Sequence, residues 1–408
     1  MNLDLAQLPA ACDVLVVGAG PAGSAAAQRL ARGGLDVVLV DQHAFPRDKI
    51  CGDGLIPDAH QALARLGLAD AVRAEAQAAH WVRCIGPRGS HIDVPATAAV
   101  LPRRRLDEIV CNAAVTAGAR MFAPLRYRAP LEENGAVVGA TLQQGDAQRA
   151  LRARWTVLAT GAVPQALLAA GMALRQQPSG VALRGYVEYP GHIDGLDRLE
   201  VVWHRVLASG YGWIFPCPGG VFNIGVGTVD RGGRGGGRRG AHEPNLRQVY
   251  EQFTRIHPGA RELALHGRLL GPLRGAPLRC TLTGARLSRP GLLVTGEAAG
   301  STYSFTGEGI GKALETGMLA AQALLESGAE GDAAVRADYE ARVQALKPRF
   351  TLYAQANRAN RYPWLADLVI WRAKRSAGLR ARMAGVLDET RNPGDLFSAR
   401  GLLRLFTE

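Results

Sequence analysis

The sequence predicts an α/β protein in which a Rossmann-like nucleotide-binding domain carries an inserted antiparallel β-sheet domain and a helical C-terminal region. Three observations predict this fold class. A strand, a glycine turn, a helix and a second strand open the chain. Segments that alternate apolar and polar residues fill its middle. After Gly291, strand, turn and helix return and lead into a basic, helical end.

The length of 408 residues exceeds one average domain, so we expect a large nucleotide-binding domain with a second lobe woven into it. The predicted boundaries are 1–80, 100–165 and 275–335 for the nucleotide-binding domain, 81–99 and 166–274 for the substrate domain, and 336–408 for the helical, basic C-terminal region. From residue 341 to the end, 13 Arg and Lys stand against 5 Asp and Glu.

The overall composition is that of an ordinary soluble protein, with 47% hydrophobic and 21% charged residues. No apolar run reaches the roughly 18 residues that a membrane span needs. The first apolar run, Val14 to Val17, has no basic leader or cleavage site, so we expect a cytoplasmic protein. A net charge of +12 favours polyanionic partners: a phosphorylated cofactor, a diphosphate substrate, an anionic membrane surface or nucleic acid.

The cysteines and the one low-complexity segment exclude some partners. The six cysteines contain no C-x-x-C pair, which argues against a zinc site and against a disulfide framework, so we expect no metal and reduced thiols. The run Arg231 to Gly240 is too rich in glycine to pack and predicts a mobile surface loop. It lacks interleaved aromatic residues, which argues against nucleic acid as a partner.

The first glycine motif is Gly18-Ala19-Gly20-Pro21-Ala22-Gly23, directly after a strand and before a helix. The first glycine permits a tight turn, the second lets the backbone approach a diphosphate, and the third lets helix and strand pack closely. The helix N-terminus offers free N–H groups and a partial positive charge to that diphosphate. Asp41 closes the next strand, where its carboxylate can accept hydrogen bonds from a ribose. The motif therefore predicts a site for FAD or NAD.

A second glycine segment favours FAD. Thr295-Gly296-Glu297 and Gly307-Glu308-Gly309-Ile310 lie far along the chain, and a simple dinucleotide dehydrogenase has no need of them. In flavoproteins built in this way, the carboxylate binds the ribityl chain and the second run opens a helix aimed at the flavin pyrimidine. Such a helix stabilises negative charge on reduced flavin. A purely structural strand-turn-helix is the alternative.

With these motifs the chain resembles flavoproteins of the para-hydroxybenzoate hydroxylase type fold and, within them, the geranylgeranyl reductase family. The resemblance runs over nearly the whole chain. It includes the segment Pro46 to Gly54, the segment Arg103 to Asp107 at a helix start, and Tyr211-Gly212-Trp213-Ile214-Phe215-Pro216 followed by Gly225-Val226-Gly227. The resemblance implies that Arg103 reaches the flavin region.

The aromatic segment predicts the substrate site. In the family, a Y-x-W-x-F-P pattern shapes a lipid tunnel beside the flavin, which assigns substrate binding to Tyr211, Trp213, Phe215 and Pro216. Aromatic rings and a rigid proline make a flat, apolar wall that suits a polyprenyl chain. The alternative is that Trp213 and Phe215 are alternate core residues of a strand.

Cys51 is the candidate catalytic residue. The resemblance places it in a glycine-bounded loop near the isoalloxazine ring and the reacting double bond. Its thiol either donates a proton or only shapes the pocket, because a cysteine is usually a small buried hydrophobe.

We therefore predict an FAD-dependent reductase that saturates carbon-carbon double bonds of an isoprenoid or polyprenyl lipid by hydride transfer from flavin N5. An external electron donor, NAD(P)H or a reduced carrier, would restore the flavin. The expected partner is an apolar small molecule or lipid. We also expect peripheral contact of the protein with the inner face of an anionic membrane. The alternatives are a flavin-dependent monooxygenase or halogenase acting on an aromatic or peptide-bound substrate, and a non-catalytic flavin-binding protein.

Overall fold

The computed structural model describes residues 3–191, 193, 197–207, 210–229 and 245–391. The Arg231 to Gly240 run and the end of the C-terminal region, 392–408, lie outside these residues. Among the described residues the structure confirms the α/β architecture, with two sheets and a helical C-terminal region.

The strands are β1 (Ala11–Val17), β2 (Val37–Val40), β3 (Gly54–Leu55), β4 (Gln77–Ile85), β5 (His91–Val100), β6 (Arg120–Phe122), β7 (Arg126–Glu133), β8 (Ala136–Gln144), β9 (Ala147–Leu158), β10 (Gly180–Glu188), β11 (Leu199–Val202), β12 (Gly210–Cys217), β13 (Val221–Val229), β14 (Arg268–Leu269), β15 (Arg274–Leu278), β16 (Ser288–Arg289) and β17 (Leu292–Val294).

The helices are α1 (Pro21–Arg32), α2 (Pro57–Arg65), α3 (Ala69–Arg73), α4 (Arg103–Thr116), α5 (Gln165–Ala169), α6 (Leu246–Ile256), α7 (Pro258–His266), α8 (Ile310–Ser327), α9 (Asp332–Ala356), α10 (Arg358–Arg361), α11 (Trp364–Ala373) and α12 (Ala377–Leu387).

The first sheet contains the predicted strand-turn-helix-strand unit. Its strands run in the order β16-β17-β9-β1-β2-β6, and β1 pairs in parallel with both β2 and β9. Helix α1 begins at Pro21, three residues before the predicted start at Ser24. Gly20 has extended backbone angles as the N-cap, and a proline at the first helical position loses nothing, because its missing N–H would have no helical partner.

An antiparallel extension of this sheet was not predicted. Strands β7, β8 and β9 form a meander whose first turn holds Asn134 and Gly135, both with positive φ angles of 49° and 79°. Asn-Gly between two alternating segments is a strong hairpin signal, since both residues accept a left-handed backbone. This hairpin could therefore have been predicted from the sequence.

The second sheet holds the middle of the chain, in the order β14-β10-β13-β12-β11-β4-β5-β3. Strands β10 to β13 pair antiparallel, and β11 joins β4 in parallel. Trp213 on β12 lies opposite Val201 on β11, and Val201 lies opposite Cys84 on β4. This register places one face of the sheet against the cavity described below.

The C-terminal helices cover part of this second sheet. Val369 and Ile370 of α11 and Val386 of α12 are buried in one cluster with Ile92 and Val94 of β5.

Among the described residues, no helix combines the length and the apolar character needed to cross a membrane. The same residues contain no cluster of His, Cys, Asp and Glu suited to a metal ion, and the six cysteines are free.

Candidate active site

A cavity of about 1180 Å³ lies where the two sheets meet. It is bordered by the end of β1, the loop from Gln42 to Gly54, the face of β12 and the N-terminus of α8. Typical small-molecule pockets measure roughly 300–1,000 Å³. The predicted site residues that line the cavity are Gly18, Gly20, Pro21, Ala22, Asp41, Cys51, Arg103, Tyr211, Trp213, Phe215, Glu297, Gly307, Gly309 and Ile310.

The three glycines of the first motif have different roles. A Cβ on Gly18, whose φ is 101°, would lie 2.4 Å from the carbonyl oxygen of Ala159, and a Cβ on Gly23 would lie 1.8 Å from the carbonyl oxygen of Gly18. Both positions require glycine for the fold itself, and Gly23 does not border the cavity. A Cβ on Gly20 would meet only guanidinium nitrogens of Arg47 and Arg103, at 3.6 and 3.8 Å. Gly20 therefore leaves backbone open to a ligand beside two positive charges.

Those two arginines belong to a buried charge network. Arg103 donates to Asp107 at 2.6 and 2.8 Å, and Arg47 bridges Asp107 at 2.9 Å and Asp41 at 3.3 Å. Asp41 also accepts from the backbone N–H of Ala19 at 3.0 Å. The network holds two cations and two carboxylates beside the glycine turn and the helix N-terminus, and the free N–H groups of that terminus favour an anion. No role was predicted for Arg47 from the sequence.

The second glycine segment adjoins the first motif and also borders the cavity. Gly296, with a φ of 66°, packs against Ala22, where a Cβ would approach to 2.6 Å, so this glycine joins the two motifs and does not line the cavity. Glu297, the following residue, does line the cavity, and its carboxylate accepts a hydrogen bond from the Thr302 hydroxyl at 3.4 Å. A Cβ on Gly307 would lie 2.6 Å from the Tyr211 hydroxyl.

The 18-residue helix α8 starts at Ile310 with Gly309 as its N-cap, and both residues line the cavity. No side chain caps this end. Its free N–H groups and positive dipole end therefore face the cavity and favour negative charge there. Glu308, also in the lining, has a pKa well above its usual range because it is buried.

Aromatic side chains form a wall on the face of the second sheet. The ring centroids of Trp203 and Tyr211, Tyr211 and Trp213, and Trp213 and Phe215 lie 6.3, 6.2 and 6.4 Å apart, and Phe305 stacks on Trp203 at 6.5 Å. All five line the cavity. Trp203 and Phe305 were missed, because they lie outside the β12 motif and only the fold brings them to it.

Pro216 differs from the other three predicted wall residues. It is buried but is not among the residues that line the cavity. Successive side chains of a strand point to opposite faces, so Tyr211, Trp213 and Phe215 share one face and Pro216 lies on the other. Pro216 is paired with Phe222 of β13 and serves the packing of the strand.

The wall continues into an apolar patch on the neighbouring strands. Val201 and Leu199 of β11 lie opposite Cys84 and Val82 of β4, and Val82 lies opposite Val94 of β5. These residues line the cavity together with three residues of α12, namely Met383, Val386 and Leu387. The cavity therefore extends from the glycine turns, past the aromatic wall, to an apolar end covered by α12.

The Cys51 loop is held by the wall. Trp213 donates from Nε1 to Asn223 at 2.9 Å, and the Asn223 amide donates to the Cys51 carbonyl oxygen and to Asp53, both at 2.8 Å. Burial raises the pKa of the Cys51 thiol, so this thiol stays protonated at neutral pH. It can thus offer a proton.

Asp53 is another titratable group in the lining, and no role was predicted for it from the sequence. Its carboxylate is fully buried and accepts from Tyr186, Asn223 and the backbone N–H of Arg103. Burial raises the pKa of Asp53 to about 6. A carboxyl group that titrates close to neutral pH inside a cavity is a typical feature of a functional site.

Known proteins resemble this chain in sequence. Residues 11–184 match the FAD binding domain family. The chain is 34% identical over 337 residues to a menaquinone reductase of Mycolicibacterium smegmatis, covering 78% of this chain and 77% of the relative. It is 30% identical over 357 residues to a digeranylgeranylglycerophospholipid reductase of Methanoculleus marisnigri, covering 82% of each chain.

Solved structures show the same fold. A geranylgeranyl bacteriochlorophyll reductase-like protein from Thermoplasma acidophilum superposes with a TM-score of 0.73 at 24% identity, covering 98% of this chain and 96% of that one. A flavin-dependent brominase superposes with the same TM-score at 18% identity, covering 97% and 98% of the two chains.

The fold, the paired glycine motifs and the family match define an FAD-dependent oxidoreductase. The chain belongs to the geranylgeranyl reductase-like family of these enzymes, as the resemblance in its motifs predicted.

Proposed function

We propose that this protein reduces carbon-carbon double bonds of a prenyl chain, carried by a lipid or a quinone. The observation that carries the proposal is the continuous face from Trp213 to the α12 patch, which offers a long, apolar site beside the predicted flavin position. The two relatives named above are reductases whose names give a quinone and a prenylated phospholipid, and both fit this substrate class.

The described residues fit FAD. The diphosphate would lie at Gly20 and the N-terminus of α1, where Arg47 and Arg103 supply positive charge. Asp41 would hold the adenosine ribose, and Glu297 the ribityl chain. The N-terminus of α8 at Gly309 and Ile310 would face the pyrimidine edge.

The chemistry divides between the cofactor and the chain. Bound FAD, once reduced by an external donor, would supply a hydride for one alkene carbon. The other carbon would take a proton as the π bond breaks, and the lining residues that could hold this proton include Cys51 and Asp53. An unactivated alkene offers no charge to stabilise, so placement and exclusion of water by the aromatic wall would supply much of the rate enhancement.

The proposed function is tested under anaerobic conditions with the FAD-loaded protein, whose flavin is reduced by stoichiometric dithionite so that no free reductant remains. After the product is exposed to air, which returns any quinol to the quinone, fragmentation mass spectrometry of an added prenylated quinone or prenyl glycerophospholipid should show two extra hydrogens in the prenyl chain. The flavin should reoxidise in step with this product. Flavin that stays reduced in the presence of both substrates would contradict the proposal. A short-lived oxygen adduct on admitting air, with a hydroxylated or halogenated aromatic product, would instead establish the monooxygenase or halogenase alternative.

A further inference from the structure

The outer side of α11 carries large aromatic residues that the fold does not need. Trp364 and Trp371 are seven residues apart, so they lie on one side of the helix, and 58% and 48% of their surfaces are exposed. Tyr362, just before the helix, is 55% exposed. The opposite side already packs against the second sheet through Val369 and Ile370. Exposed tryptophans on an otherwise satisfied helix indicate a partner.

The charge around these aromatic residues is positive. Residues 361–391 hold seven Arg and Lys and three Asp and Glu. Two of the acids are neutralised, because Asp367 faces Arg88 and Glu389 bridges Lys312 and Arg349.

The cations lie next to the tryptophans. The Arg375 guanidinium lies 4.7 Å from the Trp371 ring centroid, and Lys374 beside it is exposed. Indole rings flanked by Lys and Arg match the interface of an anionic bilayer, where the rings lie at the headgroup level and the cations meet anionic lipids.

The same helices close the apolar end of the cavity. Helix α12 follows α11 after a short turn and lines the cavity with Met383, Val386 and Leu387. Arg380 of α12 donates to the carbonyl oxygen of Ala373 at 3.0 Å, which ties α12 to the end of α11. A partner bound to the outer side of α11 would thus lie beside α12, the helix that covers the apolar patch.

We propose that the side of α11 carrying Trp364 and Trp371, with Tyr362, Lys374 and Arg375, docks on an anionic lipid bilayer. We call it the α11 face. This docking goes beyond the proposed reduction and does not depend on it, because it is a property of the surface. If both hold, the bilayer delivers a prenyl chain next to α12.

Co-sedimentation of the FAD-loaded full chain with vesicles tests the proposal. Vesicles of phosphatidylglycerol and phosphatidylcholine should bind the protein, vesicles of phosphatidylcholine alone should bind it much less, and added salt should release it. Lys374→Gln with Arg375→Gln should weaken binding about fivefold for each charge removed. Trp364→Ser with Trp371→Ser should also weaken it.

A matched control separates the α11 face from exposed tryptophan in general. Trp81 on β4 is 44% exposed, and its neighbour Val82 faces the cavity, so the Trp81 side chain points to the other side of the sheet. Trp81→Ser should bind vesicles like wild type. Equal binding to neutral and anionic vesicles, or wild-type binding by the Trp364→Ser and Trp371→Ser variant, would overturn the proposal.

Two further readouts separate this proposal from its alternatives. A dimer in solution that dissociates on Trp364→Ser with Trp371→Ser, without vesicle binding by wild type, would assign the α11 face to a second copy and overturn bilayer docking. Turnover of a short, water-soluble prenyl substrate should be the same in this variant and in wild type. Loss of vesicle binding with intact turnover supports docking, whereas absence of turnover in wild type counts only against the proposed reduction.

Discussion

Replacing Gly20 should weaken FAD binding while leaving the protein folded. Gly20 has a φ of −75° that any residue adopts, and its Cβ would meet no protein atom closer than 3.6 Å. We expect Gly20→Ala to cost the apoprotein about 1 kcal/mol or less, the difference between Gly and Ala at an N-cap. The methyl group would nevertheless stand between the backbone and the diphosphate. Losing one hydrogen bond to a charged group costs about 1.5–3 kcal/mol, or roughly 10- to 150-fold in FAD affinity.

Gly23→Ala provides the matched control. Its methyl group would overlap the carbonyl oxygen of Gly18 at 1.8 Å, away from the cavity. Overpacking of this kind costs about 1–3 kcal/mol or more. The apoprotein should therefore melt at a lower temperature, unlike Gly20→Ala. FAD affinity is measured by quenching of flavin fluorescence and stability by circular dichroism. Wild-type FAD affinity in Gly20→Ala, or equal losses of stability in both variants, would refute the assignment of the diphosphate to Gly20.

The remaining predictions concern the cavity and the buried charges. Cys51→Ser should lower turnover and leave FAD content unchanged; unaltered turnover would make the thiol a packing residue. Because the folded pKa of Asp53, about 6, exceeds the unfolded value, wild type should lose stability relative to Asp53→Asn as pH rises from about 4 through 6, seen in thermal melts. Lys312→Met removes the ion-pair partner of buried carboxylates, and we expect a loss of about 3–5 kcal/mol. This loss should be smaller at pH 5 than at pH 8 in urea titrations, because burial raises the pKa of Asp58 to about 7. Leu387→Ala should raise KM severalfold for long prenyl chains and leave short ones unaffected; an equal rise for all lengths would argue against the apolar patch.

The lining of the cavity near the glycine motifs was easier to predict from the sequence than the lining near the aromatic wall. The glycine motifs are local, so strand, turn and helix follow from neighbouring residues, and the structure places Gly20 and Gly309 on one cavity. Part of the aromatic wall can be predicted from neighbouring residues, because the alternation of side chains along one strand places Trp213 and Phe215 on the same face. The same alternation excludes Pro216, which the prediction included.

Contacts between distant segments were not predictable from one sequence. Trp203 and Phe305 join the wall from separate elements, and Leu387 reaches the cavity from the C-terminal region. These contacts depend on the pairing of β11 with β4 and on the packing of α12, for which no local pattern exists. Asp53 was visible in the Cys51 loop, but its raised pKa arises from burial, which a sequence does not show. The predicted domain boundaries stay a prediction.

The hydrogen bonds around Asn223 determine which substitutions can test substrate binding without also disturbing the groups proposed to supply the proton. Asn223 links Trp213 of the wall to the Cys51 loop and to Asp53. Any substitution of Trp213 that removes its indole N–H therefore disturbs the groups proposed to supply the proton as well as the wall that holds the chain. A change in chain-length preference after such a substitution has two causes that kinetics alone cannot separate. Leu387 lies in the apolar patch and has no bond to this network, so it probes chain binding alone. For the same reason Trp213 and the Cys51 loop are best treated as one functional unit, in which the wall positions the double bond and the proton donor together.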